Sequence, residues 1–236
     1  MIKKTKLEKD IDSFCEIYPS FKYYKNYKKK FCYVIGDLDV CDLEANFYNT
    51  FRVKIFLNKD KYPYSVPIVQ EISKYIDRID DNHLDEDGIC CLDIEHNLEK
   101  NSKKGIHLTS FYREKVYPFF VNFIFKQDTG NYANGEYEHF FDGVVQYYKE
   151  ELEIEDLQTI TKIIYSVASN TIPNRNEMCL CGSSLKIKNC HLTKIIPLKS
   201  LSKERLISDL INFEKIVNTN HSAHFTTNKQ KPTPTL

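Results

Sequence analysis

Three cysteines and one histidine in the last third of the chain have the residue types and spacing of a metal site. Cys179 and Cys181 flank a single residue, and Cys190 and His191 follow a short polar loop. Zinc prefers four such ligands in a tetrahedron, and three thiolates with one imidazole form a closed structural site. Gly182 frees the backbone to turn beside the second thiolate. Because the segment has too few apolar residues to fold alone, the bound ion must supply its folding free energy.

Two other interpretations of this segment remain open. It can be a polar loop with incidental cysteines, or a redox Cys-x-Cys pair, which leaves Cys190 and His191 without a role. The segment resembles the SEC-C motif in the Arg-Asn before the first ligand, the Cys-x-Cys-Gly-Ser run and the final Cys-His. It departs from the motif at Met178, Leu180 and Ser184, none of which is a ligand. The resemblance implies a structural zinc ion and a module that attaches to other proteins.

Cys91 is the second residue whose type and position could give it a chemical role. A polar, acidic loop precedes it, which places it near the surface, and the neighbouring Ile89, Leu92 and Ile94 are expected to anchor the segment to a core. A thiol on such an anchored, partly exposed segment can act as a nucleophile or carrier. The alternative is that Cys90 and Cys91 are small apolar residues of a strand.

Periodicity predicts the elements that must position these groups. Phe51, Val53, Ile55 and Leu57 alternate with other residues, which indicates a half-buried strand. Closely spaced strands indicate an antiparallel meander in an α+β fold. The further predictions are a helix at 5–17, strands at 31–35 (ended by Gly36) and 68–72, helices beginning near Thr109, at 140–152 and 154–167, and a small zinc knuckle between helices.

This order of elements resembles the ubiquitin-conjugating (UBC) fold. A Tyr-Pro-x-x-x-Pro element at 62–67 and a histidine-bearing loop precede the segment Gly-Ile-Cys-Cys-Leu-Asp-Ile. The family has Gly-x-Ile-Cys-Leu-Asp-Ile around its active cysteine, and this register selects Cys91 over Cys90. His83 matches the histidine of the family's His-Pro-Asn element, but Leu84 and Asp85 stand in place of Pro-Asn. The 106–152 region is similar to bacterial members, some of which occur in antiphage defence operons.

The resemblance implies transthioesterification at Cys91. The thiolate takes the C-terminus of a ubiquitin-like or other protein from an activating enzyme and passes it to an amine of an acceptor protein. His83 and His139 are the other catalytic candidates, His139 as a polar group that compensates for the missing asparagine. His83 can equally brace its loop, and His139 can equally cap a helix. Negative charge around the thiol raises its pKa and suits an incoming lysine. The acidic neighbours are Asp85, Glu86, Asp87 and Asp93.

Two rival hypotheses belong to other classes. A catalytically inactive UBC-like scaffold would dock partners through its fold and its zinc knuckle, and the missing Pro-Asn favours it. A thiol redox or hydrolase domain would use Cys90 with Cys91, or Cys91 with His139, but no Cys-x-x-Cys or hydrolase motif supports it.

Composition and charge limit which partners and which cellular compartment we expect for the protein. Lys+Arg and Asp+Glu both number 33, so bulk charge gives no argument for nucleic acid or an anionic membrane as partner. The charged start lacks the apolar run of a signal peptide or membrane anchor, which predicts a cytoplasmic protein with reduced thiols. The predicted organisation is a UBC-like α+β domain at 1–152, a linking helix at 153–171, the knuckle at 172–192, a helix at 193–218 and a disordered tail at 219–236.

Overall fold

The computed structural model describes residues 4–25, 29–133, 137–138 and 140–226. The chain divides into two compact units, Met1–Glu136 and Tyr137–Leu236. The sequence placed this boundary at residue 152, after the helix Phe140–Leu152 rather than before it. That helix belongs to the second unit because its buried residues, among them Tyr147 and Leu152, pack against the other helices of that unit.

The first unit is a four-stranded antiparallel sheet with helices before and after it. The strands follow one another in the sheet in chain order, so the predicted α+β meander is confirmed. The short first strand was not predicted. The elements are α1 (Lys6–Ile17), β1 (Lys22–Tyr24), β2 (Phe31–Cys41), β3 (Phe47–Asn58), β4 (Ile68–Glu71), α2 (Glu95–Lys103), α3 (Leu108–Phe111), a π-helical turn (Tyr112–Val116) and α4 (Tyr117–Thr129).

Alternation along β3 determines which face of the sheet is buried. Phe51, Val53 and Ile55 have no exposed surface, while the residues between them are partly exposed. The same core receives Phe14 of α1 and Phe120 of α4, whose ring centroid lies 4.7 Å from that of Phe51. Strand and helix periods therefore place apolar side chains against each other in a single core.

Gly36 does not end β2, as the sequence suggested. The strand continues to Cys41, and Gly36 is paired with Val53 of β3. A Cβ at this position would lie 2.5 Å from Cγ of Phe21, so the glycine makes room for a buried ring.

The second unit consists of helices around the cysteine-rich segment. In its core the Tyr148 hydroxyl donates to Oδ2 of buried Asp209 at 2.8 Å. The last helix continues to Thr226, beyond the end predicted at residue 218, so residues 219–226 are helical rather than disordered, and residues 227–236 lie outside the described part. No helix among the described residues has the length and apolar character needed to cross a bilayer. The helices are α5 (Phe140–Leu152), α6 (Leu157–Ala168), α7 (Leu192–Ile195) and α8 (Lys203–Thr226).

A buried ion pair fixes the loop that carries the two adjacent cysteines. The Glu71 side chain has no exposed surface, and Arg78 Nη1 lies 2.8 Å from its Oε2. The second guanidinium nitrogen of Arg78 donates to the Glu71 carbonyl at 2.8 Å, and the Glu71 amide donates to the Gly88 carbonyl at 2.8 Å. The amide of Ser73 donates to Glu71 Oε1 at 2.7 Å. The end of β4 and the loop beyond it are thus joined around one carboxylate.

Gly88 lies directly against this ion pair. Its φ of +81° suits glycine, and a Cβ there would lie 2.5 Å from Cζ of Arg78 and 2.6 Å from the Glu71 carbonyl oxygen. Both the backbone conformation and the close approach therefore require a residue without a side chain.

Replacing Glu71 by alanine tests how strongly this pair stabilises the first unit. We expect Glu71→Ala to lower the free energy of unfolding by about 3 kcal/mol, because it leaves a largely buried guanidinium unpaired. Glu86→Ala, at an exposed position of the same loop, is the matched control and should change stability by less than about 0.5 kcal/mol. Urea unfolding followed by circular dichroism measures both. Equal stability of the two variants would show that the pair contributes nothing.

Candidate metal centre and cysteine site

The metal-ligand candidates lie in a tightly hydrogen-bonded turn of the second unit. Met178 and Lys186 form an antiparallel bridge, and the Cys179 amide donates to the Leu185 carbonyl at 2.8 Å. Gly182 has φ +78°, which allows the chain to reverse between the first two cysteines and the last. Ile187, with no exposed surface, anchors the returning segment.

The structure brings all four predicted ligands together. The Sγ atoms of Cys179, Cys181 and Cys190 and the Nδ1 atom of His191 all lie within 4.8 Å of one another. His191 Nδ1 is 3.0 Å from Cys190 Sγ and 3.3 Å from Cys179 Sγ, and the Cys181 and Cys190 sulfurs are 3.5 Å apart. Zinc–sulfur bonds of about 2.3 Å in a tetrahedron separate two sulfurs by about 3.8 Å. The group can hold a metal ion, and its donor set suits zinc.

The environment shifts the pKa values of two of the candidate ligands in opposite directions. Burial raises the pKa of Cys179 to about 11, and neighbouring Cys181 and Cys190 contribute to that shift. The pKa of Cys181 is lowered to about 6, because hydrogen bonding by Ser183 and by the neighbouring cysteines outweighs the opposing effect of burial. The Ser183 hydroxyl lies 3.2 Å from Cys181 Sγ and 3.4 Å from Cys190 Sγ. It therefore supports two candidate ligands from outside the set.

The adjacent cysteines of the first unit face in opposite directions. Cys90 is buried, its amide donates to the Val69 carbonyl of β4 at 2.8 Å, and burial raises its pKa far above the ordinary value. Cys91 is exposed, as expected, and its Sγ lies 3.9 Å from the Asp93 carbonyl. Of the two cysteines, only Cys91 is an exposed residue.

His83 contacts Cys91 through a main-chain hydrogen bond. Its carbonyl accepts the Cys91 amide at 2.9 Å, and Leu84 and Cys90 form an antiparallel bridge beside this bond. The His83 ring packs against Tyr132 with centroids 5.1 Å apart. These contacts fit the loop-bracing role that the sequence left open for His83. His139, the other histidine candidate, lies outside the described residues.

The acidic groups around Cys91 differ in part from those predicted. Desolvation raises the pKa of the Cys91 thiol although the residue is exposed, and the carboxylates of Glu95 and Asp93 raise it further. The Asp93 carboxylate is held by Lys115 Nζ at 2.6 Å and by the Ile94 amide at 2.7 Å. It also accepts from the Asn97 side chain, in the first turn of α2, at 3.2 Å.

The Asp85 carboxylate stabilises the loop by hydrogen bonds and does not act on the Cys91 thiol. Its Oδ1 accepts the amides of Asp87 at 3.0 Å and Ile89 at 2.7 Å. Sequence reasoning missed Glu95, Lys115 and the Glu71–Arg78 pair. The position of Glu95 four residues after Cys91, at the start of a helix, was the one available signal.

Comparisons with protein-family models, with curated proteins and with solved structures found no match to this chain.

Removing one sulfur tests the metal centre. We expect the purified chain to carry about one zinc ion and Cys181→Ser to retain less than about a fifth of it, since three ligands hold the ion far more weakly than four. Cys15→Ser, in the first unit, is the control and should keep the metal. Elemental analysis by mass spectrometry gives the stoichiometry. The metal site is excluded if the wild-type protein is free of zinc and its 172–192 segment resists protease equally with and without a chelator.

Replacing Glu95 tests the electrostatics at Cys91. A nearby carboxylate disfavours the thiolate, so Glu95→Gln should lower the pKa of Cys91 and speed its alkylation by iodoacetamide at pH 8 about two- to threefold. The wild-type rate should rise with pH to a midpoint above the ordinary thiol value of about 8.5. Peptide mass spectrometry follows Cys91 alone, with Glu86→Gln as a charge-matched control. Identical pH profiles for the two variants would contradict the assignment to Glu95.

Proposed function

We propose that the first unit is a ubiquitin-conjugating-like enzyme with Cys91 as its thioester cysteine. The observation that carries this proposal is the opposite exposure of the two adjacent cysteines on an anchored loop. Cys91 is presented to solvent immediately after a segment tied to β4, and Cys90 is withdrawn into the core. An antiparallel meander preceded by one helix and followed by others, with the exposed cysteine after the last strand, is the arrangement that the resemblance to the UBC fold requires.

The proposed reaction has two acyl transfers. The Cys91 thiolate attacks the carbonyl carbon of a thioester between a ubiquitin-like protein and the cysteine of its activating enzyme, and that cysteine leaves as a thiolate. An amine of the acceptor protein then attacks the new thioester. An amide forms, the amine loses a proton, and the Cys91 sulfur is released.

The chain's own residues position the thiol for these steps. The His83 carbonyl fixes the Cys91 backbone, and Lys115 balances the charge of Asp93 two residues further on. The carboxylates of Glu95 and Asp93 oppose formation of the thiolate and favour the approach of a cationic amine. The local charge therefore suits the second transfer better than the first.

The second unit is proposed to hold a structural zinc ion between Cys179, Cys181, Cys190 and His191. When bound, the ion supplies folding free energy to a segment with little core of its own. The resulting module is proposed to attach the protein to a partner, and a role in antiphage defence remains part of this proposal.

A non-catalytic scaffold with the same fold is the second candidate. The raised pKa of Cys91 favours it, because a thiol that stays protonated near neutral pH is a slow nucleophile. The replacement of Pro-Asn by Leu84 and Asp85 points in the same direction.

Thioester formation separates the two candidates. The full chain is mixed with ATP and with a ubiquitin-like protein and its activating enzyme from the same organism. The enzyme proposal predicts an adduct that thiols reverse, present in wild type and Cys90→Ala and absent in Cys91→Ala. Cys91→Ser should give an adduct that resists thiols, because an oxygen ester replaces the thioester. An adduct that survives in Cys91→Ala, or none in wild type, would exclude Cys91 as the carrier.

A further inference from the structure

A cavity of about 560 Å³ in the first unit lies between the end of α1, the middle of β2 and the π-helical turn before α4. Three tyrosines line it, Tyr18, Tyr112 and Tyr117, together with Asp37, Asp39 and Arg113. The ring centroids of Tyr18 and Tyr112 are 4.4 Å apart, and those of Tyr112 and Tyr117 are 6.4 Å apart. Its volume falls within the range of small-ligand pockets, about 300–1,000 Å³.

The three tyrosine hydroxyls are not equally satisfied. Tyr18 accepts a hydrogen bond from Arg113 Nε at 2.9 Å, and Tyr117 donates to the Cys41 carbonyl at 3.3 Å. Tyr112 is 4% exposed as a whole residue, and it lines the cavity. Its hydroxyl forms no hydrogen bond with another described residue and is not fully enclosed by the protein, so a ligand in the cavity can reach it.

The charges around the Tyr112 hydroxyl determine which kind of ligand the cavity can bind. Burial raises the pKa of Tyr112 above its ordinary value, and neighbouring Tyr18, Tyr117 and Asp39 raise it further, so the hydroxyl stays neutral. The Asp39 carboxylate accepts only the Thr50 hydroxyl, at 2.5 Å, and forms no ion pair within the described ranges. Tyrosine faces and a carboxylate together attract an organic cation.

The remaining charges lie at the surface of the protein. Asp37 is paired with Arg52 at 2.8 Å, and both side chains are more than two-fifths exposed, so the pair is weak and can be shared. Arg113 is exposed and bound to Tyr18, and its positive charge opposes a simple cation. The ligand must therefore gain enough from Tyr112 and Asp39 to outweigh this repulsion.

We propose that this cavity binds a primary ammonium group on an aliphatic stem. The ammonium donates to the Tyr112 hydroxyl and to the Asp39 carboxylate, and the stem lies against the rings of Tyr18 and Tyr117. Either a free polyamine or a lysine side chain of another protein has this chemistry. The site is independent of Cys91 and of the thioester proposal.

Titration calorimetry on the full chain tests the site with butylamine, spermidine and a short blocked peptide that contains one lysine. Butyrate, which has a similar stem and the opposite charge, should not bind. Tyr112→Phe removes only one oxygen and should weaken amine binding about tenfold, as expected for a lost hydrogen bond to a charged group. Asp39→Asn should weaken binding about fivefold and Arg113→Gln should tighten it about twofold, whereas Tyr165→Phe in the second unit should change nothing.

The same titrations distinguish a free polyamine from a protein lysine as the ligand. Binding of spermidine without the peptide identifies a small polyamine, and binding of the peptide, lost when its lysine is acetylated, identifies a protein side chain. The proposal is overturned if no amine saturates the protein, if butyrate binds as well as butylamine, or if Tyr112→Phe binds like wild type. Urea unfolding of each variant confirms that the fold is retained.

Discussion

The arrangement of the first unit depends on one buried carboxylate. Glu71 ends β4, and its side chain, amide and carbonyl bind Arg78, Ser73 and Gly88. A charge without exposed surface is tolerable only with such a complete set of partners. The consequence reaches the cysteines, because the chain after Gly88 is held in an extended course along β4. Successive side chains of an extended chain point to opposite sides, so fixing Cys90 inward presents Cys91 outward.

Different interactions hold the Cys91 loop and the turn around Cys179 and Cys190 in place. The sheet holds the Cys91 loop through main-chain hydrogen bonds and one ion pair, and the core beneath it is rich in aromatic rings. The turn around Cys179 and Cys190 has Ile187 as its fully buried apolar anchor. An ion shared by four side chains is a stronger organising element for so short a segment than its own packing. If an ion binds there, its loss and the loss of core packing should therefore damage different parts of the protein.

Local patterns in the sequence were sufficient for some of these features. The alternation from Phe51 to Leu57 identified β3, and ligand type and spacing alone identified the residues that meet around His191. Gly36 was misjudged, because a glycine within a strand can mark close approach as well as termination, and only the position of Phe21 decides which. The boundary between the units was placed too late, because periodicity shows that a helix has an apolar face but not which partner covers it.

The missed residues share a physical cause. Glu71 and Arg78 are seven positions apart on an irregular segment, so no helical or strand period links them. Lys115 meets Asp93 only after the chain has passed through α2 and α3. Pairing of this kind depends on tertiary structure, and a single sequence holds no local trace of it.

The backbone at His83 has a consequence for which residue can follow it. His83 has φ 52°, in the left-handed region, and Leu84 after it is almost fully buried and bridges to Cys90. A proline forces the preceding residue into an extended conformation, and its ring has no amide hydrogen. The conformation at His83 therefore disfavours a proline at position 84. Placing proline there would require a different route from His83 to the cysteines, so the buried leucine and the left-handed turn before it are consistent with each other.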